Sequence, residues 1–255
     1  MKKIIIRVVI VVIVCLVLAV VVSMFYLGSI VKKGVETVGP KITKTEVKLD
    51  VATLSVFSGS GSIKGLVIGN PEGFSTPSAI KIGSTKLGVQ PGSVFSDKIH
   101  VTQVNIEAPE ITFEGGLTGN NLNKLLQNVR GSASQAEKSG SDKSSSRKIQ
   151  VDDLLISGGK INLQVNASML GSKSTTVPLP EIHLTSLGQG ANGVTTAELT
   201  EIILKEILQK AIPAAEKAIA DLGKGATEAV KGMGKNATGS VEKATKSVTD
   251  IFKKK

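Results

Sequence analysis

The sequence predicts a mainly β protein with accessory helices, in which an N-terminal transmembrane helix precedes an antiparallel, curved sheet shaped as an open, half-barrel-like groove. A short helical insertion is expected within the sheet region, and amphipathic helices are expected after it. Three observations lead to this prediction: a long apolar segment near the start, apolar and polar residues that alternate over 45–114, and apolar residues at helical spacing after residue 195. Alternation with period two is typical of strands with one apolar face, whereas a spacing of three and four is typical of helices.

The apolar segment, Val8 to Leu27, is long enough to cross a bilayer, because about 20 helical residues rise about 30 Å, the thickness of the hydrocarbon core. Residues 1–7 are rich in basic residues and form the predicted cytoplasmic tail. A cleaved signal peptide is the alternative, but its apolar region is usually only about 7 to 15 residues long. Basic residues on the two sides of the segment nearly balance and leave the orientation open. A tail this short is typical of a signal anchor, so we expect the chain after Leu27 to lie outside the cytoplasm.

The composition excludes several classes of function. The one cysteine, Cys15, rules out a disulfide framework and a multi-cysteine metal site. The net charge of +10 is concentrated at the ends, because residues 42–196 hold 14 basic and 12 acidic residues. Binding to a phosphate backbone needs a basic stripe on a folded face, so nucleic acid is not an expected partner.

Residues 42–187 form the predicted β domain, and they contain a repeat. Lys98–Ile106 realigns with Lys148–Ile156 at an offset of 50, and Ile111–Phe113 realigns in the same way with Ile161–Leu163. Each copy carries two adjacent polar residues between apolar pairs, Thr102-Gln103 in the first and Asp152-Asp153 in the second, which predicts the same β-bulge in both strands. One unit is therefore predicted to be used twice, although similar patterns also arise by coincidence among strand-like sequences.

The copies are separated by a predicted helix over 118–129 and a flexible linker over 131–147. The helix is indicated by apolar residues at helical spacing, ending at Val129, and the linker by seven serines and the absence of large apolar residues.

The C-terminal part begins with a capping box, Thr195-Thr196-Ala197-Glu198, which predicts an amphipathic helix over 195–222 with a kink at Pro213. Several glycines then predict a weakly helical or disordered tail over 223–255. This tail is either a solvated polar segment or a membrane-surface helix. In the second case the residues that contact the membrane are Ile251, Phe252, Lys253, Lys254 and Lys255.

No constellation of catalytic residues is found, so we interpret the chain as a non-enzyme without cofactor or metal. His100 and His183 occupy polar positions of strands, and neither has an acidic or cysteine companion at ligand spacing. The pair Asp152-Asp153 is interpreted as surface charge, because consecutive strand residues point to opposite faces. A nucleophile, a base and an oxyanion donor cannot be assembled from the remaining residues.

Several segments resemble the bacterial AsmA-like proteins. These are the anchor, the run from Val56 to Phe74 with its Ile68-Gly69-Asn70-Pro71-Glu72-Gly73 turn, the strand from Asp97 that ends in Pro109-Glu110-Ile111-Thr112-Phe113-Glu114, and Val177–Ile182. The resemblance implies a bacterial inner-membrane anchor, with the bulk of the chain in the periplasm and its sheet curled into an open groove. It also implies a role in phospholipid transport or outer-membrane maintenance, related to that of the chorein-type lipid-transfer proteins.

The aliphatic strand faces are compatible with that role, because an acyl chain in transit must be kept out of water by an apolar lining. Each CH₂ that is removed from water contributes about 0.8 kcal/mol. The predicted lipid groove consists of Ile80, Ile82, Ile99, Val101, Val104, Ile106, Ile111, Phe113, Ile149, Val151, Ile156, Ile161 and Leu163. The expected partners are the lipid bilayer and phospholipid. About eight strands span only roughly 40 Å, so we also expect either further copies of the chain or a longer envelope protein.

The alternative is a non-catalytic structural or stress-protection protein. Ile68-Gly69-Asn70-Pro71 is also similar to the late-embryogenesis-abundant type 2 proteins, which form a closed β sandwich. A sandwich seals its aliphatic side chains between two sheets, whereas a groove leaves part of them accessible.

Overall fold

The computed structural model describes residues 2–55, 57–116, 119–138, 147–167, 171–190 and 193–232. Side chains at 2–6, 8–9, 16–25, 135–138, 165–167, 171–173 and 219–232 are outside this description. Over the described residues the elements are α1 (Lys2–Thr43), β1 (Val47–Lys48), β2 (Val51–Leu54), β3 (Ser60–Gly69), β4 (Ser78–Val89), a 3₁₀ helix (Pro91–Phe95), β5 (Lys98–Glu107), β6 (Glu110–Glu114), α2 (Asn121–Lys138), β7 (Lys148–Ser157), β8 (Lys160–Ala167), β9 (Gly171–Pro178), β10 (Ile182–Leu187) and α3 (Thr196–Gly232).

The ten described strands form one sheet that is built from six long ribbons. Four ribbons consist of two strands in line, separated by a short segment that is not part of a strand. In each of them the pairing register is the same before and after this segment, and the strand pairs are β1–β2, β5–β6, β7–β8 and β9–β10. With β3 and β4, the ribbons lie side by side in chain order, and we number them 1 to 6. Ribbons 1 and 6 are the two edges and are not paired with each other in the described part of the chain. The predicted open sheet is confirmed, and the alternative two-sheet sandwich is wrong.

Ribbons 4 and 5 pair in parallel, whereas all the other described neighbours are antiparallel. Their register joins residues 50 positions apart, from Lys98 with Lys148 to Glu114 with Gln164. The repeat predicted from the sequence is therefore the pairing register itself, and the prediction of a wholly antiparallel sheet is wrong at this place. A parallel pair needs a crossover connection, and the segment that contains α2 provides it.

The predicted bulge is present in the first copy. Gly88 pairs with Gln103 and the next residue, Val89, pairs with Val101, so that Thr102 is the extra residue. In the second copy Thr185 pairs with Asp153 and Leu187 pairs with Val151, so the register stays the same across Asp152, and the facing Ser186 adopts a positive φ of 61°. Both copies are irregular at this place, but among the described pairings only the first shows the change of register that defines a bulge, so the prediction of the same bulge in both copies is wrong for the second.

A crease crosses all six ribbons. Its residues lie opposite one another when each pairing register is continued across the interruption: Asp50, Gly65, Gly83, Ala108, Gly158 and Pro180. Three of them, Gly65, Ala108 and Gly158, have positive φ values of 67°, 47° and 64°. The crease shifts the alternation of side chains by one residue, so the apolar side chains of both halves face the same side of the sheet. We call this side the inner face.

Helix α1 continues well beyond the predicted anchor and lies along ribbon 1. The Glu36 carboxylate accepts a hydrogen bond from the Leu49 N–H (3.1 Å), and the Lys32 ammonium donates to the carbonyl of Asp50 (3.1 Å). These contacts cover the backbone of an edge strand, which would otherwise be free to pair with another chain. Among the residues that the structure describes, no helix combines the length and the apolar character needed to cross a membrane.

Helices α2 and α3 pack against each other and against the sheet. Helix α2 reaches Lys138, inside the segment interpreted as a linker, and α3 continues through Pro213 to Gly232. Pro213 is exposed, so water can satisfy the carbonyl that loses its partner. The predicted capping box is confirmed, because the Thr195 N–H donates to Glu198 Oε2 (2.6 Å) and the Glu198 N–H donates to Thr195 Oγ1 (3.2 Å).

Candidate functional site

The inner face of the sheet is the candidate site, and the helices cover part of it. Leu122, Leu125 and Val129 of α2 are fully buried, and Ala211 and Ala215 of α3 are equally buried. Helix α3 packs along ribbons 5 and 6, while α2 packs on β6. The half of ribbons 4 and 5 beyond the crease, formed by β6 and β8, is therefore core.

The thirteen residues of the predicted groove divide into two groups. Eight are buried in the core between the sheet and the helices: Ile80, Ile106, Ile111, Phe113, Val151, Ile156, Ile161 and Leu163. Five are half-buried and keep access to solvent: Ile82, Ile99, Val101, Val104 and Ile149. Any ligand surface on this face is therefore smaller than the sequence pattern indicates.

The half-buried residues belong to a continuous surface. In cross-strand register, Val104 lies beside Leu87, which lies beside Gly61, and Thr85 separates Ile63 from Ile106. We define the apolar floor as the half-buried aliphatic residues of ribbons 2 to 4 on the inner face, on the side of the crease where β5 lies. They are Ile63, Leu87, Ile99, Val101 and Val104.

A buried carboxylate anchors the turn at the opposite end of the sheet. Glu114, at the end of β6, is 4 % exposed, and it accepts hydrogen bonds from the N–H and the hydroxyl of both Ser75 and Thr76 (2.6–2.9 Å). Asn70 Nδ2 donates a fifth hydrogen bond (3.0 Å). Burial alone would raise the pKa of Glu114, but the hydrogen bonds from Ser75 and Thr76 outweigh it and lower the pKa to about 2. The group is thus a carboxylate at neutral pH.

Asn121, the first residue of α2, completes this cluster. Its side chain accepts from the Glu114 N–H (3.0 Å) and donates to Asn70 Oδ1 and to the carbonyl of Thr112 (both 2.8 Å). The cluster ties the turn at 70–76, β6 and α2 together. All its donors and acceptors serve the fold, so it is a structural clamp and leaves no free group for a ligand.

Two histidine–aspartate pairs lie on the outer face of the sheet, contrary to the expectation that the histidines have no acidic companion. His100 Nε2 contacts Asp152 Oδ2 at 2.6 Å, and His183 Nε2 contacts Asp153 Oδ1 at 2.5 Å. The two aspartates lie between the buried Val151 and Leu154, so the alternation of side chains is interrupted there and both aspartates face the same side, which the rule of strict alternation does not foresee. Hydrogen bonds from Gln150 and then His100 lower the pKa of Asp152.

These pairs do not form a metal site. Over the described residues, no group of three or more His, Cys, Asp or Glu side chains is arranged to hold a metal ion. Each pair links neighbouring ribbons, since His100 belongs to β5 and His183 to β10, and both aspartates belong to β7.

The comparison with protein families decides the affiliation of the chain. The model of the AsmA family matches residues 1–181. The chain belongs to the AsmA family. No curated protein matches it, and no solved structure does either.

Membership of the AsmA family is consistent with an envelope- or lipid-related function, and the family is not known as a catalytic one. The matched region contains the sheet through β9, the first strand of ribbon 6, together with the Asn70–Glu114 clamp. The clamp joins two of the segments that carry the AsmA resemblance in the sequence, the turn at 70–73 and the end of β6. The predicted membrane-surface residues 251–255 lie outside the described residues.

Proposed function

We propose that this AsmA-family protein is anchored in the bacterial inner membrane through Val8–Leu27 and binds phospholipid acyl chains on the apolar floor in the periplasm, in support of outer-membrane maintenance. The observation that carries the proposal is the half-buried aliphatic surface on an open sheet. Removing aliphatic side chains from water lowers the free energy of the system. An accessible row of such side chains is therefore suited to binding an apolar ligand.

The floor is sufficient for part of an acyl chain. Each CH₂ removed from water contributes about 0.8 kcal/mol, so that eight methylenes on the floor contribute about 6 kcal/mol. Aliphatic side chains offer no stacking platform for a base or a sugar, so the floor favours a flexible alkyl chain.

The size of the sheet supports a role together with other molecules. Six ribbons at about 4.8 Å spacing span about 24 Å, less than an envelope that contains two membranes. We therefore propose that the chain acts with further copies of itself or with a longer envelope protein.

Photocrosslinking of the full chain with a phospholipid that carries a diazirine in its acyl chain tests the floor. We expect crosslinks at Val101, Val104 and Leu87 on the inner face. The variant Val104→Asp should lose these crosslinks, because it places a charge on the apolar surface. The matched control is Asn105→Asp, on the other face of the same strand, which should keep them. Crosslinks confined to residues 2–27, or an equal loss in both variants, would contradict lipid binding on the floor.

A further inference from the structure

Two large aromatic side chains are exposed at one end of the sheet. Phe57 is 70 % exposed in the turn between β2 and β3, and Phe95 is 76 % exposed at the end of the 3₁₀ helix between β4 and β5. The two segments are neighbours, because the Val89 N–H donates to the carbonyl of Gly59 (2.6 Å). We call Phe57 and Phe95 the aromatic tips. Exposed aromatic residues on neighbouring segments are typical of a contact surface.

The same end is basic. Lys148 follows Arg147, whose guanidinium donates to the carbonyl of Val94 (3.0 Å), next to Phe95. Lys98 donates to the carbonyl of Gly190 (3.0 Å). Asp97 and Glu198 are acidic residues at this end, and the pKa of Glu198 is lowered by hydrogen bonds from Thr195 and then by the nearby Lys148. Lys98, Arg147 and Lys148 are three cations against these two carboxylates. Such a combination of aromatic and basic side chains is suited to an anionic phospholipid surface.

Helix α1 leaves the sheet at this end. Proceeding toward its N-terminus, the helix meets ribbon 1 at Glu36 with Leu49, at Lys32 with Asp50, and at Gly28, where a side chain would collide with the carbonyl of Ala52. Helix and strand therefore run side by side in opposite directions. The apolar residues before Gly28 project past the end that carries the aromatic tips.

The level of the tips follows from this alignment. Leu54 lies two residues beyond Ala52, about 7 Å along the strand, which about four to five helical residues also cover. Leu54 is thus level with residues 23–24 of α1, inside the apolar segment, and Phe57 lies further still. If Leu27 marks the boundary of the hydrocarbon core, the tips enter the bilayer interface. Tyr26, 70 % exposed, lies at this boundary, as is typical of interfacial aromatic residues.

We propose that Phe57 and Phe95 insert into the interface of the bilayer that holds α1, with Lys98, Arg147 and Lys148 facing its anionic headgroups. This inference rests on the proposed function for the anchor and adds a second contact to it. It also places Ile99, the floor residue nearest to this end, next to the lipid. The sheet is then held upright on the membrane, with its floor open to the leaflet from which lipid would be taken.

The chain contains no tryptophan, so single substitutions give an unambiguous fluorescence signal. Phe57→Trp, Phe95→Trp, Tyr26→Trp and Phe74→Trp are made separately in the full chain and reconstituted into vesicles of phosphatidylethanolamine and phosphatidylglycerol. Part of the lipid carries bromine near the top of the acyl chains, where it quenches nearby indoles. Phe74 is the matched control because it lies in the turn at 70–76, at the far end of the sheet.

Insertion to about 5–10 Å depth should quench Phe57→Trp and Phe95→Trp about two-fold or more and leave Phe74→Trp unchanged. Tyr26→Trp reports on the anchor. If Tyr26→Trp is quenched and both tip variants are not, the inference about the tips is wrong and the anchor stands. A blue-shifted but unquenched emission of the tip variants would indicate a protein contact and also overturn it. If Tyr26→Trp is unquenched and the chain does not float with the vesicles, both proposals fail.

Discussion

At the scale of single residues, Glu114 is a buried carboxylate in a dense hydrogen-bond network. A carboxylate that is removed from water must have its oxygens satisfied, and five hydrogen bonds from three residues do this. Because the donors belong to a turn about 40 residues earlier in the chain, the charge holds two distant segments together. The clamp is therefore a tertiary contact that fixes the turn at 70–76 against the end of β6.

Glu114→Gln should destabilise the fold. In the variant, an amide nitrogen would face N–H donors that now meet a carboxylate oxygen. The loss of the charge should lower the free energy of unfolding by about 3 kcal/mol, because the folded state lowers the pKa of Glu114 from about 4.5 to about 2. Because the pKa is lowered in the folded state, this stabilisation is present above about pH 4.5 and disappears as the pH falls toward 2. Urea unfolding at pH 7 and at stepwise lower pH measures it.

Glu107→Gln is the control, because Glu107 is exposed and pairs with the exposed Lys86 (2.6 Å). Its effect on the free energy of unfolding should stay below about 1 kcal/mol. An equal effect of the two substitutions at pH 7, or a Glu114→Gln difference that does not shrink in acid, would show that the carboxylate contributes nothing beyond an ordinary surface charge.

The residues of the clamp could not be identified from the sequence. Asn70 and Glu114 were visible as parts of motifs, yet a motif does not show that two residues 44 positions apart are in contact. The histidine pairs were missed for a different reason. Strict alternation places consecutive strand residues on opposite faces, whereas the interrupted alternation between Val151 and Leu154 places Asp152 and Asp153 on one face.

At the scale of the elements, the crease explains how alternating ribbons present one continuous apolar face. Each ribbon changes the phase of its alternation at the crease, and these changes line up because the registers align the crease residues. At Gly65 the backbone needs a positive φ of 67°, and Asp50 of ribbon 1 packs directly above it. Glycine is favoured here both by the backbone conformation and by the lack of space.

Gly65→Ala should lower the free energy of unfolding by about 1–2 kcal/mol for the backbone conformation alone. The added Cβ would also lie 2.8 Å from Cβ of Asp50, closer than van der Waals contact permits. Thermal or urea unfolding of the variant measures the combined cost.

Gly83→Ala is the matched control in the neighbouring ribbon. Gly83 lies on the same crease, has no heavy atom within 4 Å of the added Cβ, and is not among the glycines with positive φ. We expect a change of at most about 0.5 kcal/mol. A cost at Gly83 as large as that at Gly65 would show that neither the positive φ of Gly65 nor its close approach to Asp50 causes the loss of stability.

The strands and their repeat were predictable because period two and an offset of 50 are properties of the sequence itself. The parallel direction of ribbons 4 and 5 was not. An offset shows that two segments are alike, but the relative direction of two strands depends on the segment that connects them. The sequence predicts a flexible linker over 131–147, whereas α2 continues into this segment as far as Lys138. The helical spacing around Leu122–Val129 ends before the helix does, so periodicity alone underestimates its length.

At the scale of the whole molecule, two similar halves of the sheet have different surroundings. Ribbons 4 and 5 are copies in register, yet α3 packs on ribbon 5, while β5 of ribbon 4 contributes three residues to the apolar floor. The sequence predicted an apolar inner face but not which part of it the helices cover. The part of the inner face that is covered depends on the packing of the helices against distant strands, and local sequence patterns do not contain this information.

Val101 and Val151 isolate this asymmetry, because they are the same residue at the same register position. Val151 is 1 % exposed beneath the helices, and Val101 is half-buried on the floor. Val151→Ala should cost about 2–3 kcal/mol, since it removes two buried carbons and leaves a cavity in a packed core. Val101→Ala should cost less than about 1 kcal/mol in the lipid-free protein, because water or neighbouring side chains already reach the site.

The same pair also distinguishes an open floor from a closed one. Unfolding of both variants is compared without lipid and with a bound phospholipid, for which the wild type should gain stability by mass action. Val101→Ala should weaken that gain and Val151→Ala should preserve it, since only the first side chain would contact the acyl chain. A different result would contradict the open floor: both substitutions lower the free energy of unfolding equally in the lipid-free protein, and neither changes the stability gained from lipid. The two copies would then be equally enclosed, and ribbon 4 would be part of the core.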